Sequence, residues 1–466
     1  MKRKLHIAVV GAGPAGIYAS DILAKSGLDV KIDLFEKLPA PYGLVRYGVA
    51  PDHPRIKQII SALYRVLEQG EINLLGNVNV GKDITPEELA EHYDAVIYAT
   101  GSDADAPLNI PGSDLPESYG ASDFVYWYDG HPDYPRTWPL KAKEVAVIGV
   151  GNVALDISRV LSKHLKDILV TEIPENVVEG LSKNPVTDVH IFGRRGPAQV
   201  KFTPLELREL GQTPDVDVLV YEDDFQFDEA SKKAIISSNQ TRQVVKTLKS
   251  WKEKDKNEFT ASRRIHIHLL QSPVAILGDD HVEGIRTERM KLNGDGTVSG
   301  TGEYIDTPVQ AVYRAIGYFS SPIKGIPFDS KKGVIPNDEG CVIDENGEKI
   351  DRIYTTGWVK RGPVGLIGST KSDAQQTISH ILEDYENGIL VATSDQVGID
   401  PIISLLNERG VEYTTWHGWE LLDSFERKLG DEYTTKNGIY RERIKVVSRD
   451  AMTAISHGKQ DLPSLI

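Results

Sequence analysis

The fold is decided by Leu5-His6-Ile7-Ala8-Val9-Val10-Gly11-Ala12-Gly13-Pro14-Ala15-Gly16 near the start of the chain. Its apolar half predicts a buried strand, and its glycine half predicts a tight turn into a helix. A second copy of the pattern is Val145-Ala146-Val147-Ile148-Gly149-Val150-Gly151-Asn152-Val153-Ala154. A strand, a glycine turn and a helix start form the arrangement that seats a dinucleotide pyrophosphate on helix N–H groups. Two such loops predict two bound dinucleotides.

Composition narrows the class of protein. The chain has 466 residues, 40% of them hydrophobic and 26% charged, as expected of a globular protein with two or three domains. Its net charge of -15 argues against non-specific nucleic-acid or anionic-membrane binding but leaves a local basic patch open. No apolar run reaches the roughly 18–20 residues of a membrane span, and no cleaved presequence is evident. We therefore expect a cytoplasmic protein with no membrane span.

A single cysteine, Cys341, limits the redox chemistry that the chain itself can carry. One thiol cannot form an intramolecular disulfide, a CxxC redox centre or a protein-ligated iron–sulfur cluster. The sequence also shows no metal-ligand pattern, so no metal centre is expected. Any iron–sulfur partner must be a separate protein.

The first glycine loop carries three glycines with different expected roles. Gly11 permits the tight turn, Gly13 leaves room for the pyrophosphate, and Gly16 lets the helix pack closely on the strand. Glu36 follows Gly16 by 20 residues and ends the next strand, where a carboxylate reaches a ribose hydroxyl. The simpler alternative is a turn that merely needs small residues. The loop alone does not distinguish FAD from NAD.

The second loop is followed by arginines instead of an acid. Gly151 and Ala154 occupy the second and third small positions, and the next strand ends in Gly193-Arg194-Arg195. A carboxylate there would repel a 2′-phosphate, whereas a guanidinium binds it bidentately. This pattern predicts NADP, and the alternative is a solvated basic turn.

The segments outside the two loops give weaker predictions. Residues 102–143 are interpreted as a connecting segment and residues 221–262 as a polar surface excursion. One strand is expected over 307–315, and a helix is expected from about 372 to 386. The last ~60 residues have no role that the sequence reveals.

Several longer motifs resemble those of the adrenodoxin-reductase-like ferredoxin–NADP⁺ reductases. They run in the same order as in that family: Val45-Arg46-Tyr47-Gly48-Val49-Ala50-Pro51-Asp52-His53-Pro54, then Asn152 to Asp156, Gly193 to Pro197, Leu205 to Leu210, Gly357 to Pro363 and Gly365 to Lys371. The resemblance implies an α/β fold of two Rossmann-like dinucleotide-binding domains. The NADP-binding domain (106–324) would be inserted into a discontinuous FAD-binding domain (1–105 and 325–466).

The resemblance also implies where the cofactors bind. FAD contacts would fall on Ala15, Glu36, Leu44, Val80, Trp358, Gly365 and Ile367, with Leu366 in the same run. NADP contacts would fall on Asn152, Val153, Arg194, Arg195, Glu206 and Gly365. These residues join the loop residues Gly11, Gly13, Gly16, Gly151 and Ala154 as expected cofactor-binding positions.

Three catalytic residues are implied in the same way. The family places His53 near the flavin ring, and Glu206 and Asp156 near the nicotinamide. We expect Glu206 to anchor the carboxamide, while Asp156 and His53 help to manage charge and protons. Proline restricts both its own backbone and that of the residue before it, so the loop from Pro51 to Pro54 should hold His53 stiffly.

The expected activity is electron transfer between NADPH and a ferredoxin-type iron–sulfur protein, by hydride transfer to FAD and one-electron release. An acidic ferredoxin would need a local basic surface on this acidic chain. The candidates are Arg46, Arg55, Lys57, Lys201, Arg208, Lys360 and Arg361. The sequence predicts neither the direction of electron flow nor the oligomeric state.

Three alternatives remain at this stage. A glutamate-synthase small-subunit relative would normally carry cysteines for iron–sulfur clusters, and a flavin monooxygenase would carry its own fingerprint between the two loops. A flavin-binding redox sensor without turnover is the third. A flavin that NADPH does not reduce would favour the sensor.

Overall fold

The computed structural model describes residues 4–53, 57–252, 259–364, 367–392 and 398–459. These residues divide into two compact units. Unit 1 contains Met1–Ala104, Asp129–Asp133 and Tyr318–Ile466, and unit 2 contains Asp105–Tyr128 and Tyr134–Gly317. Within the described ranges, no helix is both long and apolar enough to cross a membrane.

The strands are short and occur throughout the chain. In order they are β1 (Leu5–Val10), β2 (Val30–Phe35), β3 (Ile72–Leu75), β4 (Ala95–Tyr98), β5 (Ala104–Asp105), β6 (Ser118–Gly120), β7 (Glu144–Ile148), β8 (Asp188–Phe192), β9 (Val216–Val220), β10 (Arg263–His268), β11 (Gln271–Leu277), β12 (Gly284–Leu292), β13 (Val298–Pro308), β14 (Ala311–Arg314), β15 (Tyr318–Phe319), β16 (Asn337–Asp338), β17 (Cys341–Ile343) and β18 (Lys349–Thr355).

The helices alternate with the strands in the first part of each unit. They are α1 (Pro14–Ala24), α2 (Leu44–Tyr47), α3 (Ile59–Leu67), α4 (Pro86–His92), α5 (Ala121–Asp129), α6 (Asn152–Ser162), α7 (Leu165–Ile168), α8 (Glu175–Ser182), α9 (Pro204–Leu210), α10 (Glu229–Ser237), α11 (Asn239–Lys252), α12 (Trp358–Arg361), α13 (Ile367–Glu386), α14 (Ile399–Glu408), α15 (Trp416–Asn437) and α16 (Arg449–Ser456).

Unit 1 is built on a seven-stranded sheet in the order β16-β17-β18-β4-β1-β2-β3. The five strands from β18 to β3 are parallel, and β16 and β17 are antiparallel additions at one edge. The central strand β1 is buried along almost its whole length, as its near-continuous apolar run predicts for a strand covered on both faces. The first glycine loop therefore leaves the carboxyl end of the central strand, where open α/β sheets bind ligands.

Unit 2 is built on a parallel six-stranded sheet in the order β6-β14-β7-β8-β10-β9. An antiparallel three-stranded sheet, β11-β12-β13, belongs to the same unit. Apolar residues of both sheets share one buried core, which includes Ala146, Ile148, Phe192, Ile276 and Ile285. This packing holds β7 and the second glycine loop in place. The α/β class with two dinucleotide-binding units is therefore confirmed.

The unit boundaries differ from the expected ones in three places. Residues 318–324 and Asp129–Asp133 belong to unit 1, whereas sequence analysis placed both in the NADP-binding domain, and Asp105 belongs to unit 2, whereas sequence analysis placed it in the FAD-binding domain. Buried contacts explain the second difference. Lys445 Nζ lies 3.6 Å from Asp129 Oδ1, and the His131 ring packs on Tyr47 at a centroid distance of 5.2 Å.

The segments interpreted as a surface excursion and as a connecting segment contain helices. Residues 221–262 include α10 and α11, and Val244, Leu248 and Trp251 of α11 are buried. Their spacing of four and three residues is helical periodicity, which the high charge of the segment concealed. Residues 102–143 include α5, whose Phe124 packs on Tyr313 with a centroid distance of 5.1 Å. The sequence interpretation of both segments therefore left out their helices.

Two element boundaries also differ from those expected. The single strand over 307–315 is two strands, because β13 ends at Pro308 and β14 begins at Ala311. The helix expected from about 372 begins at Ile367. Its first turn therefore lies five residues closer in sequence to the glycine-rich run than predicted.

Candidate functional site

The first glycine loop shows three distinct steric environments. A Cβ on Gly11, whose φ is +109°, would lie 2.4 Å from the Ala99 carbonyl oxygen, and one on Gly16 would lie 1.9 Å from the Gly11 carbonyl oxygen. Among the described residues, a Cβ on Gly13 would meet only the Gly43 Cα, at 3.9 Å. Gly11 and Gly16 are therefore required by the backbone itself. The open side of Gly13 leaves the space that a pyrophosphate needs.

Glu36 organises this loop from the end of β2. Its carboxylate is buried and accepts hydrogen bonds from the Ala12 backbone N–H at 2.9 Å and the Leu38 backbone N–H at 3.1 Å. Burial raises the pKa of Glu36, and the two backbone N–H groups oppose that rise. The acid at the strand end thus contacts the glycine loop.

The loop before α2 packs directly on the first glycine loop. The Tyr42 N–H donates to the Ala12 carbonyl at 2.8 Å, and a Cβ on Gly43 would lie 3.1 Å from the Gly13 Cα. Gly43 has a φ of +50°, and the following residue is the expected cofactor contact Leu44. Leu44, which is half-buried, directly follows the glycine that approaches Gly13.

The Trp358 segment reaches the same loop from the end of β18. Gly357 has a φ of +78°, and its Cβ would lie 2.6 Å from the Ala15 Cβ. The Gly357 N–H donates to Asp373 Oδ2 at 2.6 Å, which fixes the turn to α13. Trp358 is half-buried and stacks on Tyr318 at a centroid distance of 6.5 Å. The expected contacts Ala15 and Trp358 therefore lie in neighbouring segments.

The structure describes some, but not all, of the other expected site residues of unit 1. Val80 is buried in the core beside the sheet. His53 is buried, and its backbone N–H donates to the Ala50 carbonyl at 3.0 Å. Gly365 and Leu366 lie outside the described residues. Ile367 begins α13.

The second glycine loop, in unit 2, has steric surroundings similar to those of the first. Gly149 has a φ of +139°, and its Cβ would lie 2.1 Å from the Ala315 carbonyl oxygen. In the part of the chain that the structure describes, a Cβ on Gly151 would meet nothing within 4 Å, whereas Ala154 is fully buried. The loop thus combines a turn that requires glycine with an open position for a ligand. Val153 follows in the first turn of α6.

The arginine turn lies against this loop. A Cβ on Gly193 would lie 2.3 Å from Val150 Cγ1, so the turn can approach the loop only without a side chain there. The Gly193 N–H donates to the His268 carbonyl at 2.8 Å. Arg194 is exposed and Arg195 is half-buried. Arg194 and Arg195 are therefore the two residues that follow the glycine in contact with the second glycine loop.

Asn152 connects the second loop to the helix that carries Glu206. The Thr203 N–H donates to Asn152 Oδ1 at 2.9 Å, and Asn152 Nδ2 donates to Thr203 Oγ1 at 3.4 Å. Thr203 is the N-cap of α9, where its hydroxyl accepts from the Glu206 N–H at 3.5 Å. The predicted NADP contact Asn152 thus shares one hydrogen-bonded unit with Glu206.

Sequence analysis missed Arg159, which lies between the two predicted carboxylates of unit 2. It is 2% exposed; its Nη2 lies 2.9 Å from Asp156 Oδ1, and its Nη1 lies 4.0 Å from Glu206 Oε2. A buried guanidinium offsets the cost of keeping two acids close together. The spacing of three residues between Asp156 and Arg159 on a helix was the available signal.

Two of the residues proposed for a docking surface are buried. Arg46 is 2% exposed, and its Nη1 donates to Glu426 Oε2 at 3.0 Å. Lys360 is 8% exposed and lies 3.1 Å from Asp373 Oδ1. Each cation is used inside unit 1, so neither is available at the surface. Arg55 lies outside the described residues.

Two glycine loops, each in its own parallel α/β unit, define an oxidoreductase of the class that binds two dinucleotides. The family model for the pyridine nucleotide-disulphide oxidoreductases matches residues 5–187. The NADPH-ferredoxin reductase FprA of Mycobacterium leprae is 39% identical over 464 residues, covering 97% of this chain and 98% of that protein. The mitochondrial NADPH:adrenodoxin oxidoreductase of Arabidopsis thaliana is 36% identical and covers 92% of each.

A solved structure agrees with these relatives. Mycobacterium tuberculosis FprA in complex with NADPH has a TM-score of 0.86 and 37% identity, covering 98% of this chain and 100% of that chain. The chain therefore belongs to the NADPH–ferredoxin and NADPH:adrenodoxin reductase family, which confirms the resemblance seen in its motifs.

Proposed function

We propose that this protein is an FAD-containing reductase that transfers electrons from NADPH to a small ferredoxin-type iron–sulfur protein. The observation that carries the proposal is the contrast between the two loops. The buried carboxylate of Glu36 binds the backbone of the first loop. The second loop instead has the two cations Arg194 and Arg195 at the end of its next strand. Membership of a family whose named members are NADPH–ferredoxin and NADPH:adrenodoxin reductases supports the same assignment.

Unit 1 fits FAD. The open side of Gly13 and the N-terminus of α1 would receive the pyrophosphate, and Glu36 would bind the ribose. When bound, FAD supplies the conversion between two-electron hydride chemistry and one-electron transfer. Leu44, Val80, Ala15 and Trp358 would line its binding site, while His53 would hold or release a proton beside the ring.

Unit 2 fits NADPH. Gly151 and the N-terminus of α6 would receive its pyrophosphate, and Arg194 and Arg195 would bind the 2′-phosphate. Glu206 would accept a hydrogen bond from the nicotinamide carboxamide. Asp156 would tune the local charge through Arg159, which contacts it directly. These residues orient the nicotinamide and do not take part in bond making.

The first experiment combines spectroscopy with titration. The purified protein should show flavin absorbance bands that NADPH bleaches at lower concentration than NADH. Added ferredoxin should then be reduced in proportion to the NADPH consumed. Absence of flavin bands would refute the proposal, and equal responses to NADPH and NADH would refute the role of the two arginines.

Glu206→Gln tests the carboxamide contact. The charge-assisted hydrogen bond should weaken by about 1.5–3 kcal/mol, which slows flavin reduction by roughly 10- to 100-fold. Stopped-flow absorbance measures this rate directly. The matched control is Glu179→Gln, which removes an exposed acid of α8 in the same unit. Equal rates of flavin reduction in the two variants would show that Glu206 does not bind the carboxamide.

The nature of the partner is a finer proposal. Lys201 and Arg208 are exposed next to or on α9 and would contribute to a basic surface for an acidic ferredoxin. Such pairing predicts a ferredoxin KM that rises steeply with salt while NADPH-dependent flavin reduction changes little. A ferredoxin KM independent of salt would contradict a basic docking surface.

A cytoplasmic location also remains a prediction, and cell fractionation tests it.

A further inference from the structure

The arginine turn, which is Gly193 with the two arginines after it, is fastened to the turn between β10 and β11 of the same unit. The Leu270 N–H donates to the Arg195 carbonyl at 3.1 Å, and the Gln271 N–H donates to the Gly193 carbonyl at 3.0 Å. The Gly193 N–H in turn donates to the His268 carbonyl. These backbone hydrogen bonds hold both ends of the arginine turn, so its position depends on that of the β10–β11 turn.

Leu270 has a backbone conformation that a leucine rarely adopts. Its φ is +52°, in the left-handed region, and its side chain is fully buried. A residue other than glycine stays in this region only where its surroundings fix it. The Leu270 carbonyl accepts from the Met290 N–H at 2.8 Å, which ties the β10–β11 turn to β12. In this conformation the Leu270 N–H points to the Arg195 carbonyl.

An ion pair fixes the residue before Leu270. Asp224, which ends the one-turn 3₁₀ helix Glu222–Asp224, is 1% exposed. Its Oδ2 accepts from the Leu269 N–H at 2.9 Å, and its Oδ1 accepts from Arg289 Nη1 at 2.7 Å. Arg289 Nη1 also lies 3.4 Å from the Leu269 carbonyl. The pair therefore holds both backbone polar groups of Leu269.

The place of this ion pair in the unit points to more than stability. A guanidinium binds a phosphate bidentately only when its fork is aimed correctly, and binding groups keep such an aim only when contacts behind them hold their backbone. Arg194 is exposed and Arg195 is half-buried, so the backbone of the arginine turn sets where both side chains begin. The Asp224–Arg289 pair and Leu270 are the contacts behind that backbone.

We propose that Asp224, Arg289 and Leu270 are positioning residues for the 2′-phosphate of NADPH. This inference rests on the proposed role of Arg194 and Arg195 in binding that phosphate. The three residues act through the backbone of the arginine turn, without a contact to the nucleotide. Because NADH lacks the 2′-phosphate, they determine the preference for NADPH over NADH and leave the binding of the rest of the nucleotide unchanged.

Positioning and simple charge predict opposite effects for Asp224→Ala. Loss of the acceptor for the Leu269 N–H should loosen the arginine turn and weaken binding of a 2′-phosphate by about 3- to 10-fold, as expected for one lost hydrogen bond. If charge alone mattered, the same change would leave Arg289 without its acid and would strengthen binding of the anion. Asp224→Asn removes the charge but keeps an acceptor oxygen, so it should recover part of the binding that Asp224→Ala loses.

The test is calorimetric titration of adenosine 2′,5′-bisphosphate and of 5′-AMP into the full-length protein. We expect the wild type to prefer the bisphosphate, and Asp224→Ala to lose affinity for the bisphosphate but not for 5′-AMP. A merely structural role would weaken the binding of both nucleotides alike. Arg289→Met should act in the same direction as Asp224→Ala. Its matched control is Arg286→Met, which removes an arginine of the same strand from an exposed pair with Asp306 and should bind as the wild type does.

Bisphosphate affinity that is unchanged or tighter in Asp224→Ala would overturn the positioning role. If Asp224→Ala does not fold, equal bisphosphate affinities in Arg289→Met and Arg286→Met would overturn it instead. A wild type that binds both nucleotides equally would overturn this role together with that of Arg194 and Arg195. A wild type that prefers the bisphosphate but whose flavin NADPH does not reduce would refute the proposed reductase activity and leave the positioning role standing.

Discussion

Gly13 and Gly16 lie three residues apart in one loop but face different surroundings. The Cβ of an alanine at position 13 has space within the protein, whereas that of an alanine at position 16 would collide with the backbone at 1.9 Å. The φ of Gly13 is -77°, which any residue adopts, so its side-chain direction is what matters. Packing therefore explains Gly16, and the proposed pyrophosphate explains Gly13.

Alanine substitution should separate these two roles. Gly13→Ala should fold with nearly unchanged thermal stability but lose most of its bound FAD, because its methyl group occupies the space of the pyrophosphate. Gly16→Ala should lose stability first, by at least about 1–3 kcal/mol, the usual cost of overpacking. Flavin content after purification and the thermal unfolding midpoint measure the two effects. Full flavin content in Gly13→Ala would contradict the assigned role.

At the scale of elements, helix caps connect stability with ligand binding. Thr203 caps α9, which carries Glu206, and also contacts Asn152 of the second glycine loop. Thr415 caps α15 in the same manner, with its hydroxyl accepting from the Gly418 N–H at 3.2 Å. The two caps have the same chemistry, but Thr203 also contacts the second glycine loop.

Valine at each cap should distinguish the two helices. Thr203→Val and Thr415→Val should each cost about 1 kcal/mol of unfolding free energy, the typical value of a lost N-cap. Thr203→Val should in addition raise the KM for NADPH, because it loosens Asn152. Denaturant unfolding and steady-state kinetics give the two quantities. An NADPH KM that rises equally in both variants would refute a local connection.

The helix α4 has a cap that depends on pH. Glu88 Oε2 accepts from the Thr85 N–H at 2.9 Å and from Arg409 Nη1 at 3.0 Å. The hydrogen bonds from Arg409 contribute most to lowering the pKa of Glu88, from 4.5 to about 2. A lowered pKa means that ionised Glu88 stabilises the folded state above pH 4.5, and that this stability is lost as the pH falls towards 2.

Glu88→Gln should therefore reduce stability at pH 7 but make little difference near pH 2. Denaturant unfolding of both proteins at several pH values between 7 and 2 tests this sign. The control is Glu348→Gln, which changes an exposed acid of unit 1. A stability difference that stays constant down to pH 2 would show that the charge of Glu88 is not the cause.

At the scale of the whole molecule, the end of the chain completes unit 1. Glu426 of α15 receives Arg46 and accepts from the Val446 N–H at 3.0 Å. Lys445 Nζ donates to the Arg46 carbonyl at 2.6 Å and to the Asp129 carbonyl at 3.1 Å. These buried contacts join the segment after α15 to the loop that leads to His53. They give the last part of the chain a structural role that its sequence did not reveal.

Arg46→Met should be one of the most destabilising single changes in unit 1. It leaves Glu426 buried without its main partner, which costs about 3–5 kcal/mol when one member of a buried pair is removed. Arg427→Met removes an exposed guanidinium and should cost only about 0–1 kcal/mol, because its partner Asp423 on the same helix keeps Arg443. Chemical unfolding of the two variants compares them. Similar losses of unfolding free energy in the two variants would show that the buried Arg46–Glu426 pair stabilises the protein no more than the pair of Arg427 does.

The sequence by itself determined both glycine loops, the acid Glu36, the arginine turn and the family. These features are local, because turn geometry and strand periodicity depend on residues that are adjacent in the chain. Only the tertiary structure showed that Arg159 lies between Asp156 and Glu206, and that Arg46 is buried instead of docking a partner. It also placed the Asp224–Arg289 pair behind the arginine turn. Such meetings depend on strand register and on packing between distant segments, which no short stretch of sequence encodes.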